Sequence, residues 1–103
     1  MAEAEIQRDC IKLLTRTGFL VIRVNSGRSG NVVWVSWYNS DGLRRPKGVS
    51  DLLCFKDGRI LAIECKVPGE EPRPDQRDFL QAAEKHGVEV LIIDGVKELE
   101  SYL

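Results

Sequence analysis

The sequence predicts an α/β domain in which helices flank a mixed β-sheet, with elements in the order helix, four strands, helix, strand, helix. Three observations predict this class. Apolar residues recur at helical spacing near the start of the chain. Two apolar runs flank Asp57-Gly58, which is the strongest short-range signal for a β-hairpin. A second helical pattern precedes the apolar run Val88–Asp94, so a right-handed crossover places that strand parallel to the one before it.

Composition predicts one soluble globular domain over residues 1–103, with 43% hydrophobic and 30% charged residues. No apolar run approaches the roughly 18 residues of a membrane span, and acids stand where a signal peptide needs basic residues. Three cysteines without CxxC spacing predict reduced thiols in an intracellular, cytoplasmic protein. The single histidine, His86, excludes a histidine-rich metal site.

The net charge of −1 is not that of an obvious nucleic-acid-binding protein, because phosphate binding normally needs a basic patch. The basic residues nevertheless cluster in one part of the chain. They are Arg23, Arg28, Arg44, Arg45 and Lys47. Two interpretations stay open at this point, a solvated loop and a basic patch beside a functional site.

The first helix is predicted over Ala2–Thr17. One face of it is apolar and comprises Ile6, Cys10, Leu13, Leu14 and Thr17. At about 100° per residue, Glu3 lies in this apolar stripe and Glu5 lies almost opposite. Glu3 is therefore predicted to face the body of the protein, either as an acid favoured by the helix dipole or as part of a site. Gly18 suits the C-terminal cap.

Between this helix and the central hairpin, two further strands are predicted. Phe19–Val24 is the first, Asn25–Gly30 is a turn or loop, and Val32–Tyr38 is the second. The second strand is apolar on both faces, so it is covered either by helices of the same chain or by a partner such as a second copy. The polar segment Asn39–Lys47 is a candidate DNA-contacting loop.

The central hairpin sets the register of the candidate site. An Asp-Gly turn of type I′ makes Lys56 and Arg59 the flanking pair. Counting outward then places Asp51 directly opposite Glu64 on one face of the sheet. A slip of one residue would put the two acids on opposite faces.

Side-chain alternation adds a lysine to the two acids. Lys66 shares the face of Glu64, and Cys65 does not. Acids directly opposite each other destabilise a hairpin, and burying them among apolar residues costs desolvation energy. Two explanations are open. Lys66 forms a surface salt bridge with an acid, or Asp51 and Glu64 are oxygen ligands of a divalent metal ion.

The remaining elements are predicted from caps and spacing. Asp75 is the predicted N-cap of a helix that runs to His86, with the inward residues Phe79, Ala82, Ala83 and His86. Gln76 falls in its first turn, where it is either a solvated residue or a site residue. A short helix, Lys97–Leu103, ends the chain.

These residues resemble a known family. Asp51, twelve further residues and then Glu64-Cys65-Lys66 resemble the signature of the PD-(D/E)xK nuclease superfamily. The surrounding motifs resemble the VRR-NUC domain in its short, stand-alone form. They are Glu3-Ala4-Glu5-Ile6-Gln7, Gly48-Val49-Ser50-Asp51, Ile63-Glu64-Cys65-Lys66 and Pro74-Asp75-Gln76. Ser50 stands where the superfamily has proline, and the segment Asn25 to Arg45 matches weakly.

The resemblance implies a restriction-endonuclease-like fold and a metal-dependent DNA endonuclease. It implies Mg²⁺ or Mn²⁺ held by Asp51, Glu64 and the main-chain carbonyl of Cys65, with no organic cofactor. It also implies that Lys66 acts as base or electrostatic stabiliser. Glu3 and Gln76 would hold water, metal or phosphate from the two flanking helices. The compact stand-alone form suits a phage-encoded protein acting in the host cytoplasm.

Three functions from different classes follow. The first is an endonuclease that acts as a homodimer on branched DNA such as a four-way junction, since no sequence-reading module is attached. The second is a catalytically inactive nucleic-acid-binding or dimerisation module on the same fold. The third is a small α/β interaction domain whose charges coincide by chance.

Overall fold

The computed structural model describes residues 2–24 and 35–103. Within these ranges the chain forms three helices and six strands. They are α1 (Glu3–Arg16), β1 (Leu20–Arg23), β2 (Trp37–Tyr38), β3 (Arg44–Arg45), β4 (Leu52–Lys56), β5 (Arg59–Cys65), α2 (Pro74–Lys85), β6 (Glu89–Ile93) and α3 (Val96–Tyr102). None of the helices in the described ranges has the length and apolar character needed to cross a bilayer.

The main sheet has the strand order β1-β4-β5-β6. Strands β1, β4 and β5 pair antiparallel, and β5 and β6 pair parallel on either side of the α2 connection. The predicted mixed sheet flanked by helices is therefore confirmed. The α1, β1 and β6 bounds each fall one residue inside the predicted ends, which is the usual scatter of element boundaries.

The hairpin of β4 and β5 has the predicted register. Asp57 and Gly58 both have positive φ, 49° and 80°, as a type I′ turn requires. Lys56 pairs with Arg59, and the pairing continues along the two strands as far as Leu52 and Ile63. The turn chemistry therefore sets which side chains of the two strands share a face.

The main core lies between one face of the sheet and helices α1 and α3. Its buried members are Ile6, Cys10, Leu13, Leu14, Phe19, Leu52, Cys54, Leu61, Ile63, Cys65, Ile93 and Leu99. The predicted apolar stripe of α1 is thus buried, with one exception. Thr17 is exposed as the C-terminal cap, and its hydroxyl donates to the carbonyl of Leu13 over 3.0 Å.

Helix α2 departs from the prediction in two ways. Its N-cap is Arg73 and not Asp75, because Pro74 suits the first helical position and Gln76 accepts from the Arg73 amide over 2.8 Å. Its buried residues are Gln76 and Leu80, whereas the predicted stripe is half-buried and its last member, His86, is exposed. The helix contacts two surfaces, the main sheet and the segment before β4, so a single stripe does not describe its burial.

The segment before β4 forms a sheet of its own. Strands β2 and β3 make a two-stranded antiparallel ribbon, with Trp37 opposite Arg45 and Tyr38 opposite Arg44. The prediction of Val32–Tyr38 as a strand of the main sheet is therefore wrong for its described part, because that part pairs with β3. The chain also forms one more short strand than predicted. Its residues 32–34 and the predicted loop Asn25–Gly30 lie outside the described residues.

Candidate active site

Asp51 lies immediately before β4 and is held by both its backbone and its side chain. The amide of Val24 donates to the Asp51 carbonyl over 2.8 Å, which extends the contact between β1 and β4. Oδ2 of the Asp51 carboxylate accepts from the Cys65 amide over 2.8 Å. Ser50 is fully buried and donates its hydroxyl to the Leu52 carbonyl. The carboxylate is consequently fixed against the end of β5.

Glu64 is a fully buried acid in β5. Its Oε1 accepts from Nε2 of Gln76 over 3.3 Å, and its Oε2 is buried without a partner among the described residues. Burial, followed by the adjacent Asp51 carboxyl, raises the pKa of Glu64 to about 9. A buried carboxylate oxygen with no donor is rare in folded proteins and indicates a missing ligand or a functional role.

Lys66 follows the end of β5 and is 7% exposed. Its amide donates to the Ile93 carbonyl over 2.9 Å, which ties it to β6. No ion pair among the described residues joins Lys66 to Asp51 or Glu64. The contacts of the described residues therefore do not support the surface salt bridge that the sequence left open.

Glu3 lies at the start of α1 and is half-buried, whereas Glu5 is exposed. Burial raises the pKa of Glu3, the charge of Asp51 raises it further, and the charge of Lys66 opposes the increase. Glu3 thus lies within electrostatic reach of the residues at the ends of β4 and β5. The helix brings a third acid to the rim of the same site.

Gln76 connects α2 to the site. It is buried, accepts from the Arg73 amide with Oε1 and donates to Glu64 with Nε2. The backbone at Gly48 lies close to the first turn of α2 because glycine has no side chain. A Cβ at Gly48 would lie 2.4 Å from the carbonyl oxygen of Asp75. The φ of Gly48 is +108°, which L side chains rarely adopt. The sequence motif contained Gly48, but its contact with α2 could not be read from spacing.

Cys65 presents its two sides to different parts of the molecule. Its amide donates to Asp51, and its thiol lies beside that of Cys10 on the core side of the sheet. Cys10, Cys54 and Cys65 are all buried free thiols. The alternation predicted for β5 is therefore observed, with Glu64 and Cys65 on opposite faces.

The donor set of the site suits a divalent cation. Among residues 2–24 and 35–103, no three His, Cys, Asp or Glu side chains are grouped to hold a metal ion. The candidate site instead combines Asp51 and Glu64, and Mg²⁺ commonly takes one or two carboxylates with several waters. The unpartnered Oε2 of Glu64 is an oxygen that a cation would satisfy. The residues present therefore fit Mg²⁺ or Mn²⁺.

The basic residues predicted near the site have different surroundings. Arg45 makes a bidentate ion pair with Asp41 at 2.7 and 2.8 Å. Arg23 donates from Nε to Gln7 of α1 over 3.2 Å. Arg44 is exposed, and Arg28 lies outside the described residues.

The fold matches that of a known structure. A solved structure described as a VRR_NUC domain superposes on this chain with a TM-score of 0.69, covering 96% of this chain and 90% of that chain at 21% sequence identity. The chain has the fold of a VRR-NUC domain. No protein-family model matches the sequence, and no curated protein matches it. The match agrees with the predicted α/β fold, a mixed sheet flanked by helices.

On this VRR-NUC fold, the side chains predicted for the site lie around the start of β4 and the end of β5. Asp51, Glu64 and Lys66 come from the hairpin, Gln76 from α2 and Glu3 from α1. Three contributions were missed at the sequence level. The Arg73 amide, the buried hydroxyl of Ser50 and the close approach of Gly48 have no periodic signal, although Gln at the third position of a helix is a known capping pattern.

Proposed function

We propose that the protein is a divalent-metal-dependent DNA endonuclease that hydrolyses phosphodiester bonds. The observation that supports this most is the pair of buried acids Asp51 and Glu64 beside Lys66, with one carboxylate oxygen left without a donor among the described residues. Such a pair is destabilising unless a cation or a proton occupies it.

Asp51, Glu64 and the main-chain carbonyl of Cys65 would hold Mg²⁺ or Mn²⁺, the carbonyl being implied by the family resemblance. When bound, such an ion stabilises negative charge on the scissile phosphate and makes water a stronger nucleophile. The hydrogen bond from Cys65 to Asp51 and the one from Gln76 to Glu64 keep the two carboxylates oriented before substrate binds. This preorganisation reduces the rearrangement needed at the moment of reaction.

The other side chains have roles in the movement of charge and protons. In the hydrolysis, the water oxygen forms a bond to phosphorus, the bond from phosphorus to the leaving sugar oxygen breaks, and that oxygen takes up a proton from solvent water. Lys66 would stabilise the negative charge that develops on phosphate oxygens or accept the proton of the water. Glu3 would hold the water or a metal-bound water from α1. Both roles of Lys66 are consistent with its position and its burial.

We further propose that the enzyme acts as a homodimer on branched DNA. One observation supports a second copy, an exposed apolar set on the sheet face away from α1. Leu20, Phe55 and Ile60 are cross-strand partners there, and Leu20 and Ile60 are 66% and 38% exposed. Ile22, two residues further along β1, is 48% exposed. A two-fold dimer would present two sites, which suits cuts placed symmetrically in a four-way junction.

The experiment that tests the proposal is cleavage of labelled linear, flap, splayed-arm and four-way DNA with Mg²⁺ or Mn²⁺. The parent should cut, and Lys66→Ala and Asp51→Ala should not. Lys12→Ala, an exposed residue of α1, is the matched charge control. If Lys66→Ala and Asp51→Ala cut as fast as the parent, the nuclease assignment is wrong. Binding of branched DNA without cleavage in either metal would instead favour the catalytically inactive module.

A further inference from the structure

The β2–β3 ribbon has two faces with different environments. Trp37 and Arg45 are directly opposite each other on one face, and Tyr38 and Arg44 are opposite each other on the other. Both faces thus combine an aromatic ring with a guanidinium group. The contacts of the two pairs show that one face packs against α2 and that the other is exposed to solvent.

The face of Trp37 and Arg45 fastens the ribbon to α2. The Trp37 ring meets Phe79 edge-to-face at a centroid distance of 5.3 Å. Its Nε1 donates to the Lys47 carbonyl over 2.9 Å. Arg45 lies 5.1 Å from the ring centroid and is held by Asp41. These contacts fix the ribbon and therefore fix the direction of its other face.

The face of Tyr38 and Arg44 is open. Tyr38 is 62% exposed and Arg44 is also exposed. Within residues 2–24 and 35–103, neither side chain has a hydrogen bond or ion pair that would occupy it. An exposed ring beside a cation with five N–H donors has the composition of a site for a nucleotide.

A groove continues from Tyr38 across to α2. It has a volume of about 280 Å³ and lies between β2 and the second half of the helix. Its walls include Trp37 and Tyr38 of the ribbon and Phe79, Ala82 and His86 on the α2 side, and Arg44 lies outside it. An apolar groove with an aromatic edge receives the flat face of a base, while phosphates stay in solvent near a cation.

The ribbon is also next to the candidate active site in the chain. Six residues lead from Arg45 to Asp51, a distance of at most about 20 Å when fully extended. Gly48, within this stretch, is packed against the carbonyl of Asp75 in the first turn of α2. A nucleotide bound by the ribbon would therefore lie within a few nucleotides of a phosphate at the candidate site.

We propose that this face of the ribbon binds one unpaired nucleotide of the DNA substrate, with the base on Tyr38 and the groove and a neighbouring phosphate on Arg44. The inference rests on the proposed nuclease function and adds a specificity element to it. A base inside a duplex is already stacked on both sides, so the site selects DNA with an unpaired base near the cut. The ribbon thereby gives a physical reason for preferring branched DNA over an intact duplex.

Binding is measured by fluorescence anisotropy in a Lys66→Ala background with Mg²⁺, with a short labelled single strand and the matched duplex. We expect Tyr38→Ala to weaken single-strand binding by about 5- to 100-fold, the range that loss of one stacked base gives. Tyr38→Phe should retain the affinity. Arg44→Ala should reduce the slope of log affinity against log salt concentration by about 0.7, because it removes one phosphate contact. Lys12→Ala, which removes an equal charge elsewhere, should leave the affinity unchanged.

A set of strands that each lack one base locates the contact. One strand of the set should bind the Lys66→Ala background more weakly, and Tyr38→Ala should weaken that strand no further. Unchanged binding by both the Tyr38 and the Arg44 variants, or no binding by the background protein, overturns the inference. The nuclease proposal fails separately, if the parent cleaves no DNA in either metal while Tyr38→Ala still weakens binding.

Discussion

Gln76 donates from Nε2 to Oε1 of Glu64 over 3.3 Å, so a residue in the first turn of α2 orients a buried acid of β5. The same side chain accepts from the Arg73 amide and caps the helix on which it lies. One residue therefore both begins the helix and orients the site. Substitutions at Gln76 can separate these two roles.

Gln76→Glu should keep the cap and lose activity. A glutamate at this position still accepts from the Arg73 amide but cannot donate to Glu64, and it adds a negative charge to an acidic site. We expect a melting temperature below that of the parent, because a second buried carboxylate beside Glu64 costs desolvation energy, and DNA cleavage reduced at least about 10-fold, because an orienting hydrogen bond is lost. Gln76→Ala should lose activity and also about 1 kcal/mol of stability with the cap. Equal cleavage by Gln76→Glu and the parent would contradict the orienting role.

Gly48→Ala should displace α2 from the site. The new Cβ would lie 2.4 Å from the Asp75 carbonyl oxygen, so the loop or the helix has to move. We expect a loss of about 2 kcal/mol or more in the free energy of unfolding, from strain and overpacking together. The matched control is Gly69→Ala, since Gly69 also has positive φ but has no atom within 4 Å of the new Cβ. Equal melting temperatures for the two variants would mean that the close approach is unimportant.

Mn²⁺ should raise the melting temperature of the parent protein and not that of Asp51→Ala. A ligand that binds only the folded state stabilises it by about 2.7 kcal/mol at 100 times its dissociation constant. The measurement is a melting curve with increasing Mn²⁺, without DNA. Glu5→Ala, which removes an exposed acid of α1, is the control and should respond like the parent. An identical Mn²⁺ response in the parent and Asp51→Ala would remove the support for a metal site at Asp51.

The protein should lose stability at acid pH when Glu89, at the start of β6, becomes protonated. Arg59 donates two hydrogen bonds to Glu89, and these, followed by the bond from Tyr102, lower its pKa from 4.5 to about 2. A carboxyl group whose pKa is lower in the folded than in the unfolded state makes its full contribution to stability when the pH is above its pKa in the unfolded state. The contribution is therefore present above about pH 4.5 and is lost as the pH falls towards 2. Glu89→Gln should lack this part of the dependence, and a melting series that is the same for both proteins over that range would contradict it.

Ile22→Glu should convert a dimer into a monomer if the exposed face of β1 and β5 is the interface. Burying a charge there without a partner opposes association. The measurement is the molar mass in solution by light scattering after gel filtration. Leu43→Glu is the control, because Leu43 is 64% exposed but lies at the turn of the ribbon. A parent protein that is monomeric at all concentrations would exclude the homodimer.

The pairing of the central hairpin follows from the amino-acid sequence alone. The Asp57-Gly58 turn and strict side-chain alternation are local rules, so they predicted the register, with Asp51 beside Glu64 and Lys66 next along the face. Helical spacing likewise selected Glu3 over Glu5 as the inward-facing acid. These predictions needed no knowledge of distant contacts.

The way the other elements meet that hairpin depends on contacts between distant parts of the chain. The contact of Gln76 with Glu64, the packing of Gly48 on Asp75 and the separate β2–β3 ribbon on Phe79 join residues whose local patterns do not refer to each other. The burial of α2 was predicted incorrectly for the same reason, since the helix packs on two surfaces and spacing describes only one. Local rules act between neighbours in the chain, whereas a site built from several elements depends on how their packed faces fit together.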